Sequence, residues 1–300
     1  MKKIDVSSVV SAMSCAHTPV EYINIGDVIT VSTLDCFSNK LRHEDETMAI
    51  LSADDMNPCT GPIYVNGAVK GDILKVEILD IKVGDHGVML SDAAGFNKYG
   101  AGERAESIHV KVEDNKIYLT DDIVFNAVPM IGCIGTAPEN DSVLTTVPGT
   151  HGGNMDNTKI MAGSILLLPV YHDGALLSLG DLHAAMGDGE VTGCGIEIFG
   201  EVTLRVNVIK NVEMPLPAVI TDDTFMSVAS CESIDDAAEV SVKMMLDCLT
   251  KLGDLSIEDA WKIVGILANV RICQIVNALK TARCEVPISV CGKLIDKLNG

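Results

Sequence analysis

The chain has 300 residues, 47% of them apolar but only 4% aromatic, so Val, Ile, Leu and Met must fill a sizeable core. A formal charge of −20 weighs against nucleic acid and anionic membrane surfaces as partners, since phosphate binding rests on Lys and Arg. The ten cysteines form no CxxC pair and several, such as Cys248 and Cys273, sit in apolar patterns. Reduced thiols and a cytoplasmic location are expected.

At the N-terminus a basic start precedes Cys15, but Asp5, Ser7 and Ser8 interrupt the apolar segment a signal peptide needs. No run reaches the roughly 20 residues of a membrane helix, so neither a signal peptide nor a membrane span is expected. Strand-like runs follow glycine turns at Ile25-Gly26-Asp27, Lys70-Gly71-Asp72 and Ala162-Gly163-Ser164. The apolar phase slips by one residue between Ile78 and Leu79, which predicts a β-bulge. Alternation over 108–113 and 202–208 adds further strands, for roughly eight to twelve by residue 210. From Pro215 the pattern changes. Ser233 with Asp236, and Ser256 with Asp259, are helix-start signals. They precede apolar stripes through Met245, Leu249 and Leu252, and through Ala260, Trp261, Val264 and Leu267, which predict core packing. The expected organisation is a β-rich domain over 1–214 that carries the active site, and a helical α+β part over 215–300.

The chemistry concentrates between Val147 and Gly195. His151, Asn154, Asp156, Asp181, His183, Asp188 and Glu190 stand there on glycine-rich backbone, and carboxylates resist burial unless paired or metal-bound. In an extended strand Asp181 and His183 share a face, because side chains alternate. The pair then makes a corner for a divalent metal. Mixed nitrogen and oxygen donors suit zinc, whereas the all-oxygen subset would suit calcium. Histidines are usually satisfied polar residues and Gly-Asp pairs are usually turns, so structural readings stay open beside the metal one. Other signatures are missing: no Walker A loop, no GxSxG, no second His after His43-Glu44-Asp45-Glu46, and no third Gly after Gly100-Ala-Gly102. Cys133, in an apolar segment without a neighbouring base, reads as a buried inert thiol.

Four long segments carry a resemblance. They are Asn57-Pro-Cys-Thr-Gly61-Pro62, Pro129-Met-Ile-Gly-Cys-Ile-Gly-Thr-Ala-Pro138, Pro148-Gly-Thr-His-Gly-Gly-Asn-Met-Asp156 and the run from Gly174 to Glu190. In colinear order from about residue 17 to 210, they resemble the acetamidase/formamidase family. The resemblance implies mainly β architecture, a jelly-roll-like sandwich or barrel with a smaller C-terminal α+β part, assembled as a homodimer or higher homo-oligomer. It also implies metal-dependent hydrolysis of a small amide substrate, formamide- or acetamide-like, to carboxylic acid and ammonia. Asp35-Cys36 is then the N-terminal contribution to the site. Asp35, Asp181 and His183 are the first-choice ligands, with Asp156 next. Glu190 is the acid/base, Asp188 an orienting group, His151 a partner of the leaving group or oxyanion, and Asn154 a substrate contact. Met186 departs from the family pattern, in which many relatives carry Gln, and the shortness of the chain removes loops; both bear on substrate identity. A non-catalytic calcium-organised β module and a cupin-type metal enzyme are the rival readings.

Overall fold

The computed structural model describes residues 2–43, 45–90 and 107–299; Glu44 and the Gly100-Ala-Gly102 segment lie outside the described residues. The protein is mostly β, 43% strand against 16% helix, and its sheets are predominantly antiparallel. Two long strands form the spine. Ile73–Leu90 pairs antiparallel with Glu197–Ile209, whose other edge takes Val28–Thr33. The phase slip appears as predicted: Thr203 faces Asp80 and Leu204 faces Ile78, which leaves Leu79 as the extra residue, pointing to solvent. One continuous strand therefore keeps its apolar set on the core side before and after the bulge.

Strands are more numerous than the sequence pattern suggests, sixteen by Ile209 among the described residues. The surplus consists of two- and three-residue pieces such as Val9–Val10 and Val143–Leu144, too short to show a period. The main core gathers Ile29, Val31, Ile63, Leu166, Leu179, Leu204 and similar aliphatic side chains, as the scarcity of aromatics requires.

Beyond Ile209 a second apolar cluster forms. Ala218–Ile220 pairs with Ile165–Pro169 and leads into an antiparallel set of Thr224–Cys231, Lys280–Pro287 and Asn269–Gln274. Helix α1 (Ile234–Lys251) and helix α2 (Ile257–Leu267) pack on this set, burying Phe225, Met245, Cys248, Leu249 and Ala260. Ser233 and Ser256 cap the two helices by accepting from the backbone N–H of Asp236 and Asp259. Each cap contributes about 1 kcal/mol. The second stripe departs from expectation: Trp261 is 66% exposed and only Ala260 of α2 is buried. Helix α2 is the outer layer, so one narrow face suffices for its packing. No helix among the described residues is long and apolar enough to cross a membrane.

The strand that organises the centre is Leu177–His183, buried at every residue. Met130–Gly135 flanks it on one side, and Cys59–Asn66 and the start of Glu197–Ile209 flank it on the other.

Candidate active site

Asp181 and His183 stand at the end of this central strand. Asp181 has φ 58°, a left-handed conformation that Asp tolerates better than most residues, and its carboxylate is thereby re-aimed inside the sheet. Its Oδ1 lies 3.6 Å from His183 Nε2, and its Oδ2 accepts from Asn57 Nδ2 at 2.9 Å. Glu197, paired with His183 across the ladder, brings Oε1 to 3.2 Å from the same Nε2. Two glycines make room. A Cβ on Gly132 would sit 2.6 Å from both Asp156 Oδ1 and Asp181 Oδ2, and one on Gly195 would sit 2.6 Å from His183 Nδ1. Both distances are far inside van der Waals contact, so the site requires the missing side chains.

Two groups of donor atoms result. Cys36, Asp181 and Glu197 each bring one atom within 4.8 Å of the others, and so do Asp156, His183 and Glu190; all six residues are buried. Asp156 Oδ2 accepts from Asn277 Nδ2 at 2.7 Å, so the C-terminal part reaches into the centre. Asp156 Oδ1, His183 Nδ1, Glu190 Oε2, Glu197 Oε2 and Asp35 Oδ2 are buried with no hydrogen-bond partner. Buried polar atoms are normally satisfied, and such a concentration marks a place built for something else. The neighbouring cavity, about 250 Å³, is lined by Cys36, Asn57, Asn154, Asp181, Glu190, Cys194, Glu197 and Asn277. A larger cavity, about 1300 Å³, shares none of these residues.

The electrostatics point the same way. Burial, then Asp181, push Asp156 up to about 7, and burial pushes Glu197 up to about 7. Burial, then Asp156, push Glu190 up to about 11. Burial works against a charge on His183, yet Glu197 and Asp181 outweigh it and hold the imidazolium well above its ordinary range. Carboxylates crowded in low dielectric retain protons unless a cation replaces them. The donor set, carboxylate oxygens, imidazole nitrogen and one thiol, fits a divalent ion of the zinc type.

The other sequence candidates lie as follows. Asp35 belongs to neither donor group. Its Oδ1 accepts from the N–H groups of Phe37 and Asn39, at 3.0 and 2.6 Å, and so shapes the turn that presents Cys36. Asp188 belongs to neither donor group and is held by Arg283 at 2.9 and 2.7 Å and by Thr158 at 2.7 Å. His151 is buried with Nε2 unpartnered, and burial alone pushes it down to about 4; no charged group contributes. Asn154 lines the cavity, with its buried Oδ1 unpartnered. Sequence reading missed Glu197, and gave Cys36 with Asp35 as the N-terminal contribution to the site without naming the thiol as a ligand. The available signal for Glu197 was a carboxylate enclosed by Ile196 and Ile198 at the head of an apolar strand. Cys133 is fully buried 3.3 Å from the Cys59 sulfur, and burial holds its thiol well above the ordinary range, as an inert thiol requires.

Fold and site together define a β-rich protein with an enzyme-type polar centre at the end of a fully buried strand. The chain belongs to the acetamidase/formamidase family, whose model matches residues 16–145 and 139–278. It is similar to the crystal structure of an acetamidase from Bacillus halodurans, with 40% identity and a TM-score of 0.92, covering 97% of this chain and 99% of that one. A predicted acetamidase/formamidase from Thermoanaerobacter tengcongensis gives 38% identity and a TM-score of 0.93 over 97% and 98% of the two chains. The formamidase of Methylophilus methylotrophus is 25% identical over 256 residues, 64% of this chain and 62% of that protein. The chain thus spans 62% of the length of the curated formamidases it matches.

Proposed function

We propose that the protein hydrolyses the C–N bond of small carboxamides of the formamide and acetamide type, giving carboxylic acid and ammonia, with a divalent metal of the zinc kind. The observation that carries this reading is the pair of buried donor groups, Cys36 with Asp181 and Glu197, and Asp156 with His183 and Glu190, which include unpartnered carboxylate oxygens of Asp156, Glu190 and Glu197 and adjoin a cavity lined by Cys36, Asp181, Glu190 and Glu197. Family membership supports the reaction class. Asp181, His183 and Glu197 would hold the ion, with Cys36 beside them. The chemistry that such an ion supplies is Lewis acidity toward the amide carbonyl and the attacking water. Nitrogen and sulfur donors favour zinc over calcium, which prefers oxygen alone.

The remaining groups handle position and protons. Asn57 fixes Asp181, and Asn277 fixes Asp156 so that its second oxygen faces inward. Glu190, buried and unpartnered at Oε2, is the group that takes a proton from water and delivers it to the departing nitrogen, which must leave as ammonia. Asn154 Oδ1 is free to accept from the substrate's amide N–H. Ten free cysteines fit a reducing cytoplasm. The resemblance supports a homo-oligomer.

The test combines elemental analysis of purified protein with ammonia release from formamide, acetamide and propanamide. Activity is expected to vanish on chelation and to return with zinc. Full turnover in protein verified to be metal-free would overturn the metal part, and no ammonia from any amide would overturn the whole reading.

A further inference from the structure

We propose that the site accepts primary carboxamides whose acyl group is an apolar chain of several carbons, received by a second cavity walled by Met89, Phe125, Val128, Met186, Val191 and Ile196. The inference rests on the amide-hydrolase reading of the acid–histidine cluster. The second cavity measures about 560 Å³, and Glu190 and Cys194 line both it and the 250 Å³ cavity at the cluster. A carboxamide carbon placed beside Glu190 therefore has the apolar space as its immediate neighbour.

Size separates the two spaces. Acetamide has four heavy atoms and, at about 30 Å³ for each water-sized group, needs on the order of 100 Å³. The smaller cavity is enough for it. The larger one falls within the roughly 300–1,000 Å³ of ordinary ligand pockets, which are mostly apolar with a few polar groups. Chemistry selects the occupant. Among the described residues that line the second cavity none is Lys or Arg and most are apolar, a lining that favours an uncharged acyl group over one ending in a carboxylate or phosphate. Of its two acidic residues, Asp188 is already matched by Arg283 and Thr158. Glu190 sits at the shared wall, where the amide belongs. Val128 and Val191 are half exposed, at 52% and 51%, and gain burial when an acyl chain lies against them.

Burial of one methylene corresponds to about a fourfold gain in affinity. The experiment uses the full-length protein with acetamide, butanamide and hexanamide, reading binding by titration calorimetry and turnover by ammonia release. From acetamide to hexanamide we expect affinity, and kcat/KM with it, to rise on the order of a hundredfold. Val191→Trp, which fills the cavity from its exposed side, should lower the hexanamide-to-acetamide ratio at least about tenfold, the loss of some two buried methylenes. Val128→Asp should do the same by placing a charge there, and stands in if Val191→Trp fails to fold. Hexanamide binding no tighter than acetamide, or a ratio unmoved by both variants, overturns the proposal. So does a changed sedimentation coefficient with an unchanged ratio, which would make this face a contact between copies. If no amide releases ammonia, the hydrolase reading fails, while the calorimetric series and its loss in the variants still decide whether the cavity takes an apolar amide.

Discussion

Asn57, Asp156, Asp181 and Glu190 all hold positive φ, at 46°, 46°, 58° and 46°, and all face the same few ångströms of space. Such conformations cost on the order of 1–3 kcal/mol each and persist where surrounding structure holds them, typically at functional sites. On the proposed mechanism Glu190→Gln keeps the shape but loses the proton carrier. Turnover should fall by about 10²–10⁴-fold. Elemental analysis should find the metal retained, since Asp181, His183 and Glu197 remain; loss of the ion would make Glu190 a ligand. His183→Ala should lose the metal and keep the β fold, as measured by metal content and circular dichroism. Cys133→Ser should keep most of its turnover, because a thiol held protonated by burial is no nucleophile. His151 offers a separate readout in stability. Its folded pKa, about 4, lies below the ordinary 6.5, so its contribution is fully present above pH 6.5 and is lost as pH falls toward 4. Up to about 3 kcal/mol is involved, and denaturant titrations of His151→Gln should show a flatter slope across that window.

At the scale of elements, the strand Asn269–Gln274 and the turn after it clamp the loop that carries Glu190. Gly189 donates to Cys273 O at 2.9 Å and accepts from Ile275 N at 3.2 Å, while Asn277 reaches Asp156. Arg283, 1% exposed, anchors the same loop through Asp188. Asp188→Ala strips this buried guanidinium of its bidentate partner and leaves it Glu285 and the weakly accepting Cys273 sulfur. Breaking a fully buried pair costs about 3–5 kcal/mol, and the partial exposure of Asp188 reduces this to roughly 2 kcal/mol. Chemical denaturation measures the loss. Turnover should fall as well, because Glu190 is then less firmly placed.

For the molecule as a whole, a metal held as proposed would make folding and ion binding one equilibrium. With several carboxylates facing one imidazole, a divalent ion would replace protons that the carboxylates otherwise retain. Zinc at 100 times its dissociation constant should then stabilise the fold by about 2.7 kcal/mol. Scanning calorimetry of chelated and zinc-loaded protein should show the higher melting temperature in the latter, with Glu197→Gln reducing the difference. Equal melting temperatures would argue against a metal in this centre.

Local chemistry was legible without coordinates wherever a period or a cap carried it. The bulge at Leu79 follows from a slipped alternation, and both helix starts follow from Ser-x-x-Asp signals that need only neighbours in the chain. The stretch holding Asp156, Asp181, His183 and Glu190 was legible too, because glycines and ligand-type side chains crowd there in one segment. Tertiary structure decided the rest. Glu197 becomes part of the centre only because its strand pairs with His183. Cys36 arrives there through a turn held by one oxygen of Asp35, whose other oxygen stays buried and unpartnered. Asn277 and Arg283 come from the far end of the chain, more than ninety residues from their partners. Trp261 shows the converse: a helical stripe names a face but does not say what covers it. Sequence periodicity records which side of an element avoids water, whereas the partner across a ladder or a cavity is set by long-range closure, which leaves no local trace.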